Sequence, residues 1–133
     1  MAKIVRFEDI EAWKKSRVLV KEIYHITSSA ELSRDFGLKD QIRRAVVSVM
    51  SNIAEGFERG GNKEFRQFLS LAKGSAGEVK SQLYIALDVG FVNQADFTKL
   101  YNQADEIGKM INGLMEYLKN TDLKGSKFKQ TVL

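Results

Sequence analysis

The chain has 133 residues and a mass of 15.1 kDa, the size of one domain with room for a real core. Its 44% hydrophobic and 29% charged residues exclude a disordered chain. The absence of cysteine excludes a disulfide framework, a thiolate metal site and a cysteine nucleophile. A formal charge of +4 and a pI of about 9.3 are compatible with nucleic acid or another anionic surface, although the charge is spread along the chain.

Proline is also absent, so nothing rigid interrupts a helix, and an all-helical protein is favoured over a turn-rich β fold. The N-terminal MAKIVRFEDIEAW lacks an apolar signal core. No apolar run approaches the ~18 residues of a membrane span, so no membrane partner and a cytoplasmic location are expected.

A period near 3.6 predicts four helices. The first covers residues 8 to 27, with Ile10, Trp13, Val20, Ile23 and Tyr24 on one face and Glu8, Asp9 and Glu11 in its first turn, where the helix dipole favours acids. In the connection SSAELSRDFG, Phe36 with Leu38 is placed to plug one end of a bundle.

The second helix is predicted from Lys39 to Arg59. Ile42, Ala45, Val46, Val49, Met50 and Ile53, extended by Val47 and Ala54, cover an arc of roughly 200°, where a one-faced helix shows little more than 100°. A second buried surface is implied, with Val47, Met50 and Ala54 as candidate oligomer contacts. Arg44, Ser48, Ser51, Asn52, Glu55 and Arg59 fill the remaining strip.

Gly60-Gly61 ends this helix, and Asn62 is placed to cap a third over residues 63 to 89. That helix has Phe65, Leu69, Ala72, Ala76, Val79, Leu83 and Ala86 at core spacing. Gly74 and Gly77 in its interior cost roughly 1 kcal/mol each against alanine, which predicts close approach of another backbone. Asn93 or Gln94 opens a fourth helix to Lys119, with Phe97, Leu100, Ile107, Ile111, Leu114 and Leu118 inward. Short connections make the whole an antiparallel up-down-up-down four-helix bundle. The bundle domain covers residues 1–120, with a basic C-terminal tail over residues 121–133 in which Lys124, Lys127 and Lys129 stand together.

A bundle invites a di-iron reading, since Glu22-Ile23-Tyr24-His25 matches Glu-x-x-His. Such sites need the motif twice and two further glutamates, whereas this chain has one histidine. Glu22 also falls about 180° from Trp13 on the wheel, away from the core. No metal and no cofactor are expected. Without a GxSxG, HExxH or Walker motif, no catalytic residue is indicated and the chain is read as a non-enzyme. Arg44, Ser48, Asn52, Glu55 and Arg59, with Ser75 and Glu78 of the third helix, are read as a structural polar network, in which a buried Glu55 needs a charged partner.

QIRRAVVSVMSNIAEGFERG followed by EFRQFLSLAKGSAGEVKSQLYIALDVG resembles the four-helix bundle proteins named for one encoded in intervening sequences of bacterial 23S ribosomal RNA genes. The resemblance rests on Gln41, Arg43, Arg44, Ala45, Ser48, Asn52, Ile53, Glu55 and Gly56, then on Gly74, Ser75 and Glu78, and FEDIEAW looks like the family's helix 1 start. It covers residues 7 to 118. Two departures concern loop shape: the loop after helix 1 has no proline, and Lys39 stands where members have serine or threonine at the helix 2 cap.

The resemblance implies a homopentamer around an axis. Related bundles are accessory proteins of diversity-generating retroelements, where a basic barrel contacts nucleic acid and a reverse transcriptase. The expected function is binding of structured RNA or DNA through phosphates, with Lys14, Lys15, Arg17, Lys63, Arg66 and the tail lysines as contacts. The alternative is a scaffold for a protein partner with no nucleic-acid role.

Overall fold

Four helices carry the fold: α1 (Glu11–Ile26), α2 (Phe36–Glu58), α3 (Asn62–Asp88) and α4 (Gln94–Lys119). The computed structural model describes residues 4–29 and 31–121. Each helix packs on its chain neighbours, and α4 closes back on α1, with the closest association between α2 and α3 and between α3 and α4. This is an all-α four-helix bundle. Among the described residues there is no strand, and no helix is long and apolar enough to cross a membrane.

The inward faces follow the 3.6-residue period. Leu19 and Ile23 of α1, Ile42, Val46, Val49 and Ile53 of α2, Leu69, Ala72, Val79 and Leu83 of α3, and Ala104, Ile107 and Ile111 of α4 are all buried. Burying each large aliphatic side chain contributes about 1.5–3 kcal/mol, so this continuous core dominates stability. The 3₁₀ turn Phe7–Asp9 packs beside Trp13, with the Phe7 and Trp13 rings 5.1 Å apart, edge to face.

The helix ends differ from the sequence expectation in ways the capping groups explain. α1 starts at Glu11 because Asp9 turns back to accept from the N–H groups of Val5 and Arg6, at 3.0 and 3.2 Å, which holds residues 7 to 9 in the 3₁₀ turn. α2 starts a turn before Lys39, since Asp35 is the cap and accepts from the Leu38 N–H at 3.0 Å. Leu32 plugs that end of the bundle with Leu38, whereas Phe36 is 76% exposed. Tyr24, expected in the core, is exposed on α1. Gly61 occupies the cap of α3, and Asn62 is its first residue. The Asn93 cap of α4 accepts from the Asp96 N–H at 2.8 Å.

Two left-handed glycines end helices. Gly60 and Gly90 both have φ of +82°, a conformation that costs only glycine nothing. After Gly90, the Phe91 N–H reaches back to the Ala86 carbonyl at 2.8 Å, satisfying an orphan acceptor of α3. Gly74 and Gly77 do not mark a close backbone approach, because a Cβ on either would meet nothing within 4 Å. Gly56 does, under Phe65 and Phe68 of α3.

Candidate functional site

The polar strip of α2 divides into a buried-side cluster and two exposed ion pairs. Asn52 Nδ2 donates to the Ser48 carbonyl at 2.8 Å and to Ser48 Oγ at 2.9 Å. Ser75, buried on α3, donates its hydroxyl to the same Ser48 Oγ at 2.9 Å. The cluster is neutral and pins α2 to α3. It holds no base to take a proton from either serine, so it has no means of generating a nucleophile.

Glu55 and Arg44 lie outside this cluster. Glu55 is exposed and bonded to Arg59 one turn on, at 2.7 Å, so it has no buried charge to neutralise. Arg59 in turn lies 4.9 Å over the Phe68 ring. Arg44 pairs with Asp40 at 2.8 Å, also one turn away. Glu78 is exposed on α3. Helical geometry explains the division, because i,i+4 partners meet without crossing to another helix.

Arg43, beside Arg44 in sequence, has a role that the polar strip of α2 does not reveal. Its Nε donates to Thr27 Oγ1 at 2.8 Å, and its Nη2 to the Tyr24 carbonyl at 3.3 Å and Ser28 Oγ at 3.1 Å. The guanidinium lies 4.3 Å over the Tyr24 ring. A cation is thus held at the C-terminal end of α1, where the helix dipole is negative. The only sequence signal was the arginine pair itself, since its partners lie 15 to 19 residues away.

The predicted phosphate contacts stand in different settings. Lys14 is paired with Glu11 at 3.3 Å and Lys15 with Glu106 of α4 at 3.4 Å. Arg17 is exposed, 5.9 Å from the Trp13 ring centre. Lys63 is exposed in the first turn of α3. Arg66 donates from Nε to Asn62 Oδ1 at 3.1 Å. Asn62 Nδ2 in turn holds the Leu118 and Thr121 carbonyls at 2.9 and 3.0 Å, tying α3 to the end of α4. Lys124, Lys127 and Lys129, with nearly all of the tail, lie outside the described residues.

Of the three predicted interface residues, Val47 is 37% exposed, while Met50 and Ala54 are half-buried against the core. A cleft of about 760 Å³ opens between α1 and the start of α4, lined by Val18, Glu22, His25, Phe91, Asp96 and Lys99. Glu22, expected to point away from the core, sits on this seam, with Oε1 3.2 Å from Lys99 Nζ. Among the described residues no group of three or more His, Cys, Asp or Glu is disposed to hold a metal ion.

Comparisons with known proteins agree with this architecture. A solved structure from Bacteroides thetaiotaomicron VPI-5482, described as a protein of unknown function from the S23 ribosomal protein family, superposes with a TM-score of 0.74. It is 20% identical over 79% of this chain and 95% of its own, a likeness of fold. No curated protein matches the sequence. The family model described as 23S rRNA-intervening sequence protein matches residues 8–113, which is most of the bundle, including the Ser48–Asn52–Ser75 cluster and the Arg43 clamp. The chain therefore belongs to the 23S rRNA-intervening sequence protein family.

Proposed function

We propose that the protein is a non-enzymatic, homo-oligomeric bundle of the cytoplasm that binds structured RNA or DNA through its phosphates. The observation that carries this reading is an excess of positive charge that neighbouring carboxylates do not cancel. The chain is +4 overall, and Arg66 and Lys73 spend their hydrogen bonds on neutral amide oxygens, those of Asn62 and Asn112. Lysine and arginine held this way keep their full charge for an anion, and release of counterions from phosphates supplies the binding free energy.

The oligomer rests on two unlike apolar strips. On α2, Phe36 and Val47 are exposed and lie about three turns apart on one line of the helix. On α3, Leu71 and Ile85 are exposed and lie within about 40° of each other, and the exposed Val89 follows as its C-cap. Two different apolar strips on one chain favour a head-to-tail contact, which closes into a ring when the rotation permits. The pentamer implied by the family resemblance is a ring of this kind.

Fluorescence anisotropy of labelled hairpin RNA and duplex DNA, titrated with the full chain at low and moderate salt, tests the reading. Saturable binding that weakens steeply with salt is expected. Absence of binding at low salt would overturn it and favour the protein scaffold, to which the α3 strip of Leu71, Ile85 and Val89 would then belong.

A further inference from the structure

The seam between α3 and α4 carries a regular row of cations. Arg66, Lys73 and Lys80 stand seven residues apart on α3, which spaces them by about 10.5 Å along one flank of the helix. Two of the three reach α4 directly, while Arg66 bonds Asn62 of its own helix, which in turn holds the Leu118 carbonyl of α4. Lys73 Nζ meets Asn112 Oδ1 at 2.9 Å, and Lys80 Nζ meets Asp105 Oδ1 at 2.8 Å. The helices run antiparallel, so these partners descend α4 in matching steps.

Charge along the seam is not balanced. Asn62 and Asn112 are neutral, and Asp105 is shared, because Lys109 lies 3.2 Å from its other oxygen. Lys119 continues the same flank of α4, where Glu116 is the other acid by helical position. The α1–α4 seam is different, with Lys15 matched to Glu106 and Lys99 to Glu22.

The floor of the seam is cut away. A groove of about 480 Å³ runs there, over Ala76 and Gly77 of α3 and Ala104, Gly108 and Gly113 of α4. A Cβ on any of these three glycines would meet nothing within 4 Å. Glycine inside a helix lowers its stability relative to alanine, and no neighbour within the bundle requires it at these positions. The missing side chains leave open clearance between the lysines.

We infer that the α3–α4 groove receives the phosphate backbone of a nucleic-acid strand, with Arg66, Lys73 and Lys109 as its contacts and the glycines as its clearance. The inference rests on the proposed nucleic-acid function and names its surface. Lys80 is a positioning residue here, since its pairing with Asp105 holds that carboxylate beside Lys109. The Tyr101 ring lies beside Lys80, 5.0 Å from its Nζ and 5.7 Å from the exposed Tyr84 ring. The row of cations is complementary to a row of phosphates, and readout of base sequence is not built into it.

The experiment uses the full chain and the labelled hairpin RNA, with affinity measured against salt. The variant Arg66→Gln/Lys73→Gln/Lys109→Gln should bind at least about tenfold more weakly, and its log K against log salt slope should flatten by roughly one for each cation removed. Gly113→Glu keeps all three cations and adds a carboxylate to the groove; it should also weaken binding, and it decides the matter should the triple variant not fold. Lys99→Gln, in the charge-matched α1–α4 seam, should bind as the parent does. Parent-like binding by the folded triple variant and by Gly113→Glu would overturn the groove while leaving nucleic-acid binding intact. A parent protein that binds no RNA at low salt would overturn both.

Discussion

Gly56 of α2 passes so close to Phe68 of α3 that a Cβ built on the glycine would stand 2.6 Å from the Phe68 Cβ, and 3.4 Å from the Phe65 carbonyl oxygen. Backbone and a Cβ cannot swing aside as the end of a flexible side chain can. Gly56→Ala should therefore push α2 and α3 apart and cost about 1–3 kcal/mol, as overpacking does. Gly77→Ala, in open space, should instead stabilise by up to about 1 kcal/mol. Chemical denaturation of the two variants checks the pair; equal effects would mean that the close approach at Gly56 is not limiting.

The polar strip of α2 makes opposite predictions at two positions. Glu55 is half-exposed and bonded to Arg59 within its own helix, so Glu55→Ala should change stability by no more than about 0.5 kcal/mol. Ser75→Ala removes a hydroxyl from the buried side of α3 and leaves Ser48 one donor short, and should cost about 1 kcal/mol. Urea unfolding of both variants would show the order. A larger loss at Glu55 would point to burial of that residue in an assembly.

Acid and alkali should act through identifiable groups. The Asp9 carboxyl is held below its ordinary 3.8 chiefly by the Val5 and Arg6 N–H groups, and that of Asp105 by hydrogen bonds from Lys80 and Lys109. A depressed carboxyl contributes stability that is present above its unfolded value and lost as pH falls through the folded one. Thermal stability should thus decline below pH 3.8, and Asp9→Asn/Asp105→Asn should flatten that decline. The Lys80 ammonium is held above its ordinary 10.5, chiefly by Asp105, so its contribution is full below 10.5 and lost as pH rises through the higher folded value. Melting curves across both limits check the signs.

Val47 offers a clean test of the proposed assembly. It is the exposed member of the predicted interface trio, while Met50 packs partly into the core. Val47→Lys should leave the helical fold intact, within about 0.5 kcal/mol for a surface change, and reduce the native mass toward that of one chain. Native mass spectrometry decides; an unchanged oligomer would place the interface elsewhere, with Leu71→Lys on α3 as the next variant.

Much of this fold is legible in local sequence. The inward face of α3, from Phe65 to Ala86, follows from a period near 3.6 alone, and each of those residues is buried. The left-handed turns at Gly60 and Gly90 and the Asn93 cap are likewise local, because a helix end is satisfied by groups within a few residues of it. So is family membership, carried by a polar pattern on α2 and α3 that a generic bundle core does not require.

Which polar and small residues meet is set by the packing of one helix on another. A wheel puts Glu55 and Ser48 on one strip, yet an i,i+4 arginine satisfies the first and a serine from α3 joins the second. Gly56, Gly74 and Gly77 look alike in sequence, but one lies beneath a phenylalanine and two face open space. Arg66, Lys73 and Lys80 are scattered basic residues until α4 runs antiparallel beside them, setting the neutral Asn112 against Lys73 and Asp105 against Lys80, while Arg66 bonds Asn62 within α3. Helix periodicity states how far a side chain lies from its own core face. It carries no information on what the neighbouring helix presents at the same height, and that register is set by packing across the whole bundle.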